Sequence, residues 1–420
     1  MAAPALAGEP AAPIPARLVA LVFLPFVTGY FLSYFFRNVN AVIAKDLAHE
    51  FALGAADLGL LTGTYFVTFG LFQLPLGVLL DRFGPRRVVA GLLCVTAAGA
   101  VVFGIAESFA ALALGRALIG LGVSACLMGS IKAFTLWFPL ARLATVSGWF
   151  IFLGALGGLA ATAPVEAALG VMGWRAMFYG LAAASLAAAL LIALCVPEKP
   201  LPGAGATWGE QFRAVGRILA TPLFWRIALP FIATHGAYQA IQGLWLGPWL
   251  TDVGGLGRES AARLLFVTAG TYAVGSVFFG SFADRLAARG IARLTTYKVG
   301  LGVSFAAFLC VALDLPLPRA AVLGVYGFTV VSGAIAFALI TPQLPPEMSG
   351  RAITAVNFAH FIVSFAFQWG IGAVLRAYPV TDGRFAAEGY MAALRAIGAA
   401  QLAALAWLVP LRAAAPPART

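Results

Sequence analysis

Charge is scarce in this sequence. Asp, Glu, Lys and Arg make up 10% of 420 residues, against about 25% in soluble domains. That is too little polar material to coat a water-facing surface. Negative charge is the scarcer kind, with 16 carboxylates against 27 Lys and Arg. All the carboxylates fall in connections or at the edges of apolar runs, none at the middle of one. A cation held inside a membrane wants a carboxylate beside it, so their placement disfavours cationic cargo and sodium binding. The four cysteines, Cys94, Cys126, Cys195 and Cys310, lie in or beside apolar runs. They lack metal-site spacing, and no metal site is expected. There is no G-x-x-x-x-G-K-[ST] loop to cradle a nucleotide, and no cofactor is expected. The net charge is +11, yet no basic tract interleaves with aromatics, which argues against a nucleic-acid partner. The first 16 residues are rich in Ala and Pro and lack a basic n-region. They read as a cytoplasmic tail and not as a cleaved signal.

What is present is apolar. Hydrophobic residues make up 62% of the chain, and the mean hydropathy is +0.94. A bilayer core of about 30 Å takes about 20 helical residues. Twelve runs of about that length occur, at 17–40, 56–79, 88–108, 111–133, 143–167, 174–196, 225–248, 260–283, 292–313, 318–341, 352–376 and 388–411; they are called spans 1 to 12 below. They predict an all-α polytopic membrane protein of twelve helices in two six-helix halves, 17–196 and 225–412. The stretch 197–224 reads as the linker between halves, with a short amphipathic helix at 208–219, and 413–420 as a C-terminal tail. In span 5, Gly154, Gly157 and Gly158 predict a close-packing face, and Pro164 predicts a kink or an end. With the termini inside, 15 Lys and Arg fall on the cytoplasmic side and 8 outside, which supports that orientation. Short basic gaps between apolar runs also suit loops near anionic lipid.

A charged string occurs twice, 203 residues apart: GVLLDRFGPRR at 77–87 and GSFADRLAARG at 280–290. Asp81 and Arg82 sit where a helix leaves the membrane. Arg82, Arg86 and Arg87 can pair with carboxylates or helix C-termini across the cytoplasmic face. Gly84 permits a tight turn and Gly77 a close helix approach. The second copy keeps Gly280, Asp284 and Arg285 and loses the paired arginines. Span 4 adds Arg116, Gly120 and Gly122, followed by Trp137, Phe138 and Pro139.

With twelve spans and a central loop, these features resemble the major facilitator superfamily of secondary transporters over about residues 17–412. The family pattern is G-x-x-x-D-R-x-G-R-R, and here Pro85 stands between the second glycine and the arginines. The resemblance implies alternating access between two halves, a cavity lined in part by spans 1 and 4, and no enzymatic activity. It also implies a gating role for Gly77, Asp81, Arg82, Gly84, Arg86, Arg87, Arg116, Gly280, Asp284 and Arg285. A charged contact that forms in one state and breaks in the other is what such a machine needs.

Candidate substrate contacts come from polar residues inside spans. Arg37 stands in the outer part of span 1, with Tyr34 and Asn40 on its helix face and Asn38 beside it. An arginine can clamp a carboxylate through two nitrogens, or it can snorkel to the headgroups. Lys132, near the inner end of span 4, has the same two options. His235, Gln239 and Gln242 form a stripe on span 7, and Asn357, His360, Ser364 and Gln368 form another on span 11. Polar groups in a span face protein or a water-filled cavity, so each stripe lines the cavity or bonds neighbouring helices. Tyr65, Gln73, Tyr272 and Tyr326 are further candidates. His235 and His360 titrate near neutrality and are proton-coupling candidates. Asp57, at the outer start of span 2, is a third, if burial raises its pKa.

The combined expectation is proton-coupled uptake of a small organic anion across a bacterial inner membrane by a monomer, with protons, the solute and lipid as its partners. An arginine followed by an asparagine in span 1 is similar to the anion-transporting branches of the family. A proton-driven exporter of drugs or metabolites is the alternative. A membrane enzyme or receptor is disfavoured, because no carboxylate shares a span with either histidine and there is no large extra domain.

Overall fold

The computed structural model describes residues 14–199, 208–343, 349–381 and 383–411. The N-terminal tail through residue 13, residues 200–207 of the linker and the C-terminal tail lie outside the described residues. The chain is almost wholly helical. Among the described residues, ten helices are long and apolar enough to cross a bilayer. An eleventh is added if Phe212–Leu219 and Pro222–Asp252, bent 86° apart, count as one span.

Spans 2 and 3 run together in one 50-residue stretch, Ala55–Gly104, but the backbone leaves the helix at Gly84 (φ 78°, ψ 160°). Only glycine adopts that conformation at little cost, and Pro85 then starts the next helix with φ already set. Span 1 forms Ala16–Asn38 and continues past the expected end as Asn40–Glu50. Span 5 forms Leu140–Ala160 and breaks at Thr162 before a short helix, Ala163–Leu169, with Pro164 in its first turn. The proline ends one helix and opens another. Span 7 contains a π-turn, Ile241–Trp245, between Pro222–Ala240 and Leu246–Asp252. The amphipathic helix forms at Trp208–Leu219 and buries Ala214, Val215 and Ile218. Gly84 and this helix mark one end of the bundle, here the linker side. The opposite, far side carries a two-stranded hairpin, Val380–Thr381 paired with Arg384–Phe385, which the sequence pattern did not predict.

Glycine sets how closely helices approach. Gly154 lies against the Tyr30 ring and Gly157 against the Phe31 carbonyl, which seats span 5 on span 1. Span 2 meets span 11 the same way: a Cβ on Gly59 would stand 2.9 Å from the Gln368 carbonyl, and one on Gly63 2.8 Å from the Phe365 ring. That contact joins the stretches expected to form separate halves. Large apolar side chains such as Leu190, Leu194, Val274, Val299 and Leu402 remain exposed, as suits a surface that meets lipid.

Candidate functional site

A cavity of about 500 Å³ runs between the helices from Arg37 to Asp284 and Arg293. Both of those residues are exposed on the linker side, so the cavity opens there. Arg37 closes its deep end, away from that opening, and is only 5% exposed. Its guanidinium lies over three rings, at 4.8 Å from Tyr34, 5.2 Å from Phe361 and 5.4 Å from Phe69. Among the described residues no carboxylate pairs with it, and its Nε has no hydrogen-bond partner. Cation–π contact stabilises it by about 0.5–2 kcal/mol per ring. A free buried ion costs several kcal/mol, and those ring contacts offset part of that cost at Arg37. It does not snorkel to a headgroup.

Beside Arg37, four side chains from spans 1, 7, 8 and 11 form a hydrogen-bonded chain. Tyr34 Oη stands 3.2 Å from Tyr272 Oη, Tyr272 Oη 3.1 Å from His235 Nε2, and His235 Nδ1 3.4 Å from His360 Nε2. Gln239 and Asn357 also line the cavity.

Six of the twelve candidate contacts therefore reach the cavity: Tyr34, Arg37, His235, Gln239, Asn357 and His360. The other six lie elsewhere. Lys132 forms an ion pair with Asp81. Asn38 donates to the Tyr34 carbonyl (2.8 Å), along its own helix. Asn40 donates to Thr62 Oγ1 (2.9 Å), and Ser364 to the His360 carbonyl (2.8 Å). Gln242 donates to the Leu265 carbonyl (3.2 Å). It lies within the π-turn Ile241–Trp245. Gln368 lies farther along span 11, where its backbone carbonyl accepts from Trp245 Nε1 (2.8 Å). Its side chain is buried with both polar atoms unpartnered. Asn40, Gln242, Ser364 and Gln368 all lie on the far side of Arg37, where the helices have closed together.

Asp57 is exposed and caps its own helix, accepting from the Gly54 amide (3.1 Å). The burial its proposed proton role requires is absent. Of the further candidates, Gln73 and Tyr272 line the cavity. Tyr65 instead donates to the Ser33 carbonyl (3.1 Å), and Tyr326 is buried away from the cavity. The rings of Phe69 and Phe361, 4.0 Å apart, were not singled out in the sequence. With 33 phenylalanines, nothing distinguished these two.

The repeated charged strings pair locally. Asp81 takes Lys132; Arg87 and Arg86 take Glu198, and Arg86 also donates to the Ala193 carbonyl (3.0 Å from Nε). Arg82 stacks over Phe83 (5.4 Å), and Asp284 takes Arg293 (2.9 Å). Gly280 and Arg285 lie on the same helix as Asp284. Arg116 is fully buried, donates to the Phe36 carbonyl (3.0 Å) and lies over Tyr65. Gly120 packs on the backbone of Tyr65, and Gly122 on span 3 at Thr96.

Among the described residues, the ion pairs that join residues 17–196 to residues 225–412 lie on the far side. Lys45 meets Asp252 (2.9 Å), and Arg258 meets both Asp46 (2.8 Å) and Glu166 (3.1 Å). Asp252 also accepts from Tyr390 Oη (3.2 Å) and the Phe385 amide (3.3 Å).

Known proteins share this fold. The chain is 27% identical over 272 residues to the probable sulfoacetate transporter SauU of Cupriavidus necator, a match covering 61% of this chain and 63% of that one. That is just under two thirds of the relative's length. It is 24% identical over 360 residues to the probable L-galactonate transporter of Escherichia coli K12, covering 80% and 78%. Among solved structures, a bacterial homolog of the human lysosomal transporter Spinster, inward-facing and unoccupied, superposes with a TM-score of 0.68 at 20% identity, over 95% of this chain and 96% of that one. Residues 26–368 match the Major Facilitator Superfamily. The chain belongs to that superfamily, a family of multi-pass membrane transporters rather than enzymes.

Proposed function

We propose that this protein takes up a small organic anion across a bacterial inner membrane, driven by protons. The observation that carries the reading is Arg37, a buried cation without a carboxylate partner at the closed end of the cavity. Sulfoacetate and L-galactonate, named for two relatives, are both anions. A cationic drug would need a carboxylate in the cavity. The one among the described lining residues is Asp284, which is exposed and already paired with Arg293.

In this reading Ala55–Gly104 counts as two spans divided at Gly84, and Pro222–Asp252 as the seventh. That makes twelve, six on either side of the 197–224 linker, with the linker side and both termini in the cytoplasm. The cavity then opens inward, and the far-side ion pairs close the outside. Asn40, Gln242, Ser364 and Gln368 become the lining of the outward-open state. Protons would enter the cycle through the chain of His235, His360, Tyr272 and Tyr34, whose hydrogen bonds link spans 1, 7, 8 and 11. In proteoliposomes, accumulation of an anionic substrate should collapse when a protonophore dissipates the pH gradient. Accumulation indifferent to the gradient would remove proton coupling, and transport restricted to neutral or cationic solutes would remove the anion.

The charged strings act in this scheme as state-dependent contacts on the cytoplasmic side. Asp81 holds Lys132 in the inward-open form. Asp81→Asn should leave insertion and substrate binding intact and slow uptake by at least about tenfold, the effect of about 1.4 kcal/mol on one conformational step. Uptake at the normal rate, at matched membrane levels, would take Asp81 out of the gate.

A further inference from the structure

We infer that the cargo is a monoanion with an apolar body, not a polyhydroxy acid and not a dianion. This rests on Arg37 as the anion site and adds to it what the surrounding wall admits. The first observation is the shape of the arginine's pocket. Tyr34, Phe69 and Phe361 surround the guanidinium at 4.8–5.4 Å, and the Phe69 and Phe361 rings lie 4.0 Å apart. Those two rings are in contact, so a carboxylate that reaches Arg37 brings its next carbons against an aromatic wall. Each methylene buried there is worth about 0.8 kcal/mol, or about fourfold in affinity.

The second observation is the supply of charge. Among the described lining residues the permanent cations are Arg37 and Arg293. Arg293 is exposed at the mouth and holds Asp284 at 2.9 Å. His235 is engaged at both ring nitrogens, by His360 and by Tyr272. A second negative charge on the cargo would enter with no free cation to meet it, and an unpaired buried charge is strongly disfavoured.

The third observation is the supply of hydrogen bonds. Near the histidines, the side-chain amides of Gln239 and Asn357 reach the cavity without a protein partner among the described residues. Gln73 is committed to the Ser124 carbonyl (3.1 Å). Two amides serve one or two polar groups. A sugar acid brings several hydroxyls, and each one buried without a partner lowers affinity by about fivefold or more. Ser124 and Ser276 also line the cavity, but their hydroxyls donate to the Leu121 (2.6 Å) and Ala273 (2.7 Å) carbonyls; apart from these and Tyr30, the rest of the wall, including Met128, Ile131, Phe279, Val331, Ile335 and Ile353, is apolar.

The test is isothermal titration of the purified full-length protein in lipid nanodiscs with phenylacetate, an acetate–butanoate–hexanoate series, L-galactonate, sulfoacetate and phenylacetamide. Phenylacetate should bind at least tenfold more tightly than L-galactonate or sulfoacetate, and the aliphatic series should tighten about three- to fourfold per methylene. Binding of L-galactonate or sulfoacetate as tight as that of phenylacetate would overturn the inference and leave the anion site standing. So would a flat aliphatic series, or no binding by any apolar acid while either of those two acids binds. Phenylacetamide binding as tightly as phenylacetate would instead overturn Arg37 as the anion site, and the inference with it.

Discussion

Arg37→Ala is expected to weaken binding of an anionic cargo by more than about 100-fold, because it removes the single unpaired permanent cation among the described residues that line the cavity. Charge-assisted hydrogen bonds contribute about 1.5–3 kcal/mol each, and an arginine can offer two in parallel. Losing both while the carboxylate still enters a site walled by Phe69, Phe361 and Tyr34 exceeds the roughly 2.7 kcal/mol that corresponds to 100-fold. Arg37→Lys keeps the charge but not the planar fork and should recover only part of the loss. A second readout separates this role from a structural one. Without substrate, Arg37 has no carboxylate to hold and its Nε lacks a partner; the desolvation cost of the buried ion offsets its three ring contacts, so Arg37→Gln should change the melting temperature of the empty protein little. It should abolish the thermal shift that an anionic ligand produces. A variant that melts much earlier yet binds anions normally would make Arg37 a packing residue.

The scaffold was legible because its signals are repetitive. Apolar runs of about 20 residues have one fate in lipid, and every expected span is helical over most of its length. Gly84 was readable as a turn because no other residue suits φ 78° so well. Gly154 and Gly157 were readable as a contact face because close helix approach needs small residues. Helical period also grouped His235 with Gln239, and Asn357 with His360, and all four line the cavity. It could not give depth. Ser364 and Gln368 continue the stripe of span 11, but whether they meet water depends on which end of the bundle is open, and no period records that. Gln242 stands on the same closed side, donating to the Leu265 carbonyl of span 8, a tertiary contact that its own span does not record. Lys132 was placed by its own span alone, whereas its partner Asp81 comes from span 2. The aromatic wall was hidden by abundance.

Lys45→Met is expected to shift the protein from the inward-open form toward the outward-open one by about 5–30-fold. The far side is held closed chiefly by Lys45 on Asp252 and Arg258 on Asp46 and Glu166. The Asp252 side chain is 1% exposed, while that of Lys45 is 40% exposed. Breaking a fully buried pair costs about 3–5 kcal/mol. Solvent access at Lys45 lowers that to about 1–2 kcal/mol, which sets the 5–30-fold range. Asp252 keeps Tyr390 and the Phe385 amide, so the second half should stay folded while its hold on span 1 weakens. Closure is opposed by the polar groups it strands. Both polar atoms of the Gln368 side chain, Gln242 Oε1 and Asn40 Oδ1 are buried without partners, and each costs about 1–3 kcal/mol until opening admits water. Gln368→Leu removes that penalty from the closed side and should push the equilibrium the other way, deeper into the inward-open form. Spin-label distances between the far-side loops 51–54 and 253–257 read both effects, lengthening in Lys45→Met and narrowing to the closed population in Gln368→Leu. Shifts of the same sign in the two variants would break the argument, because a lock and the strain it works against must respond oppositely.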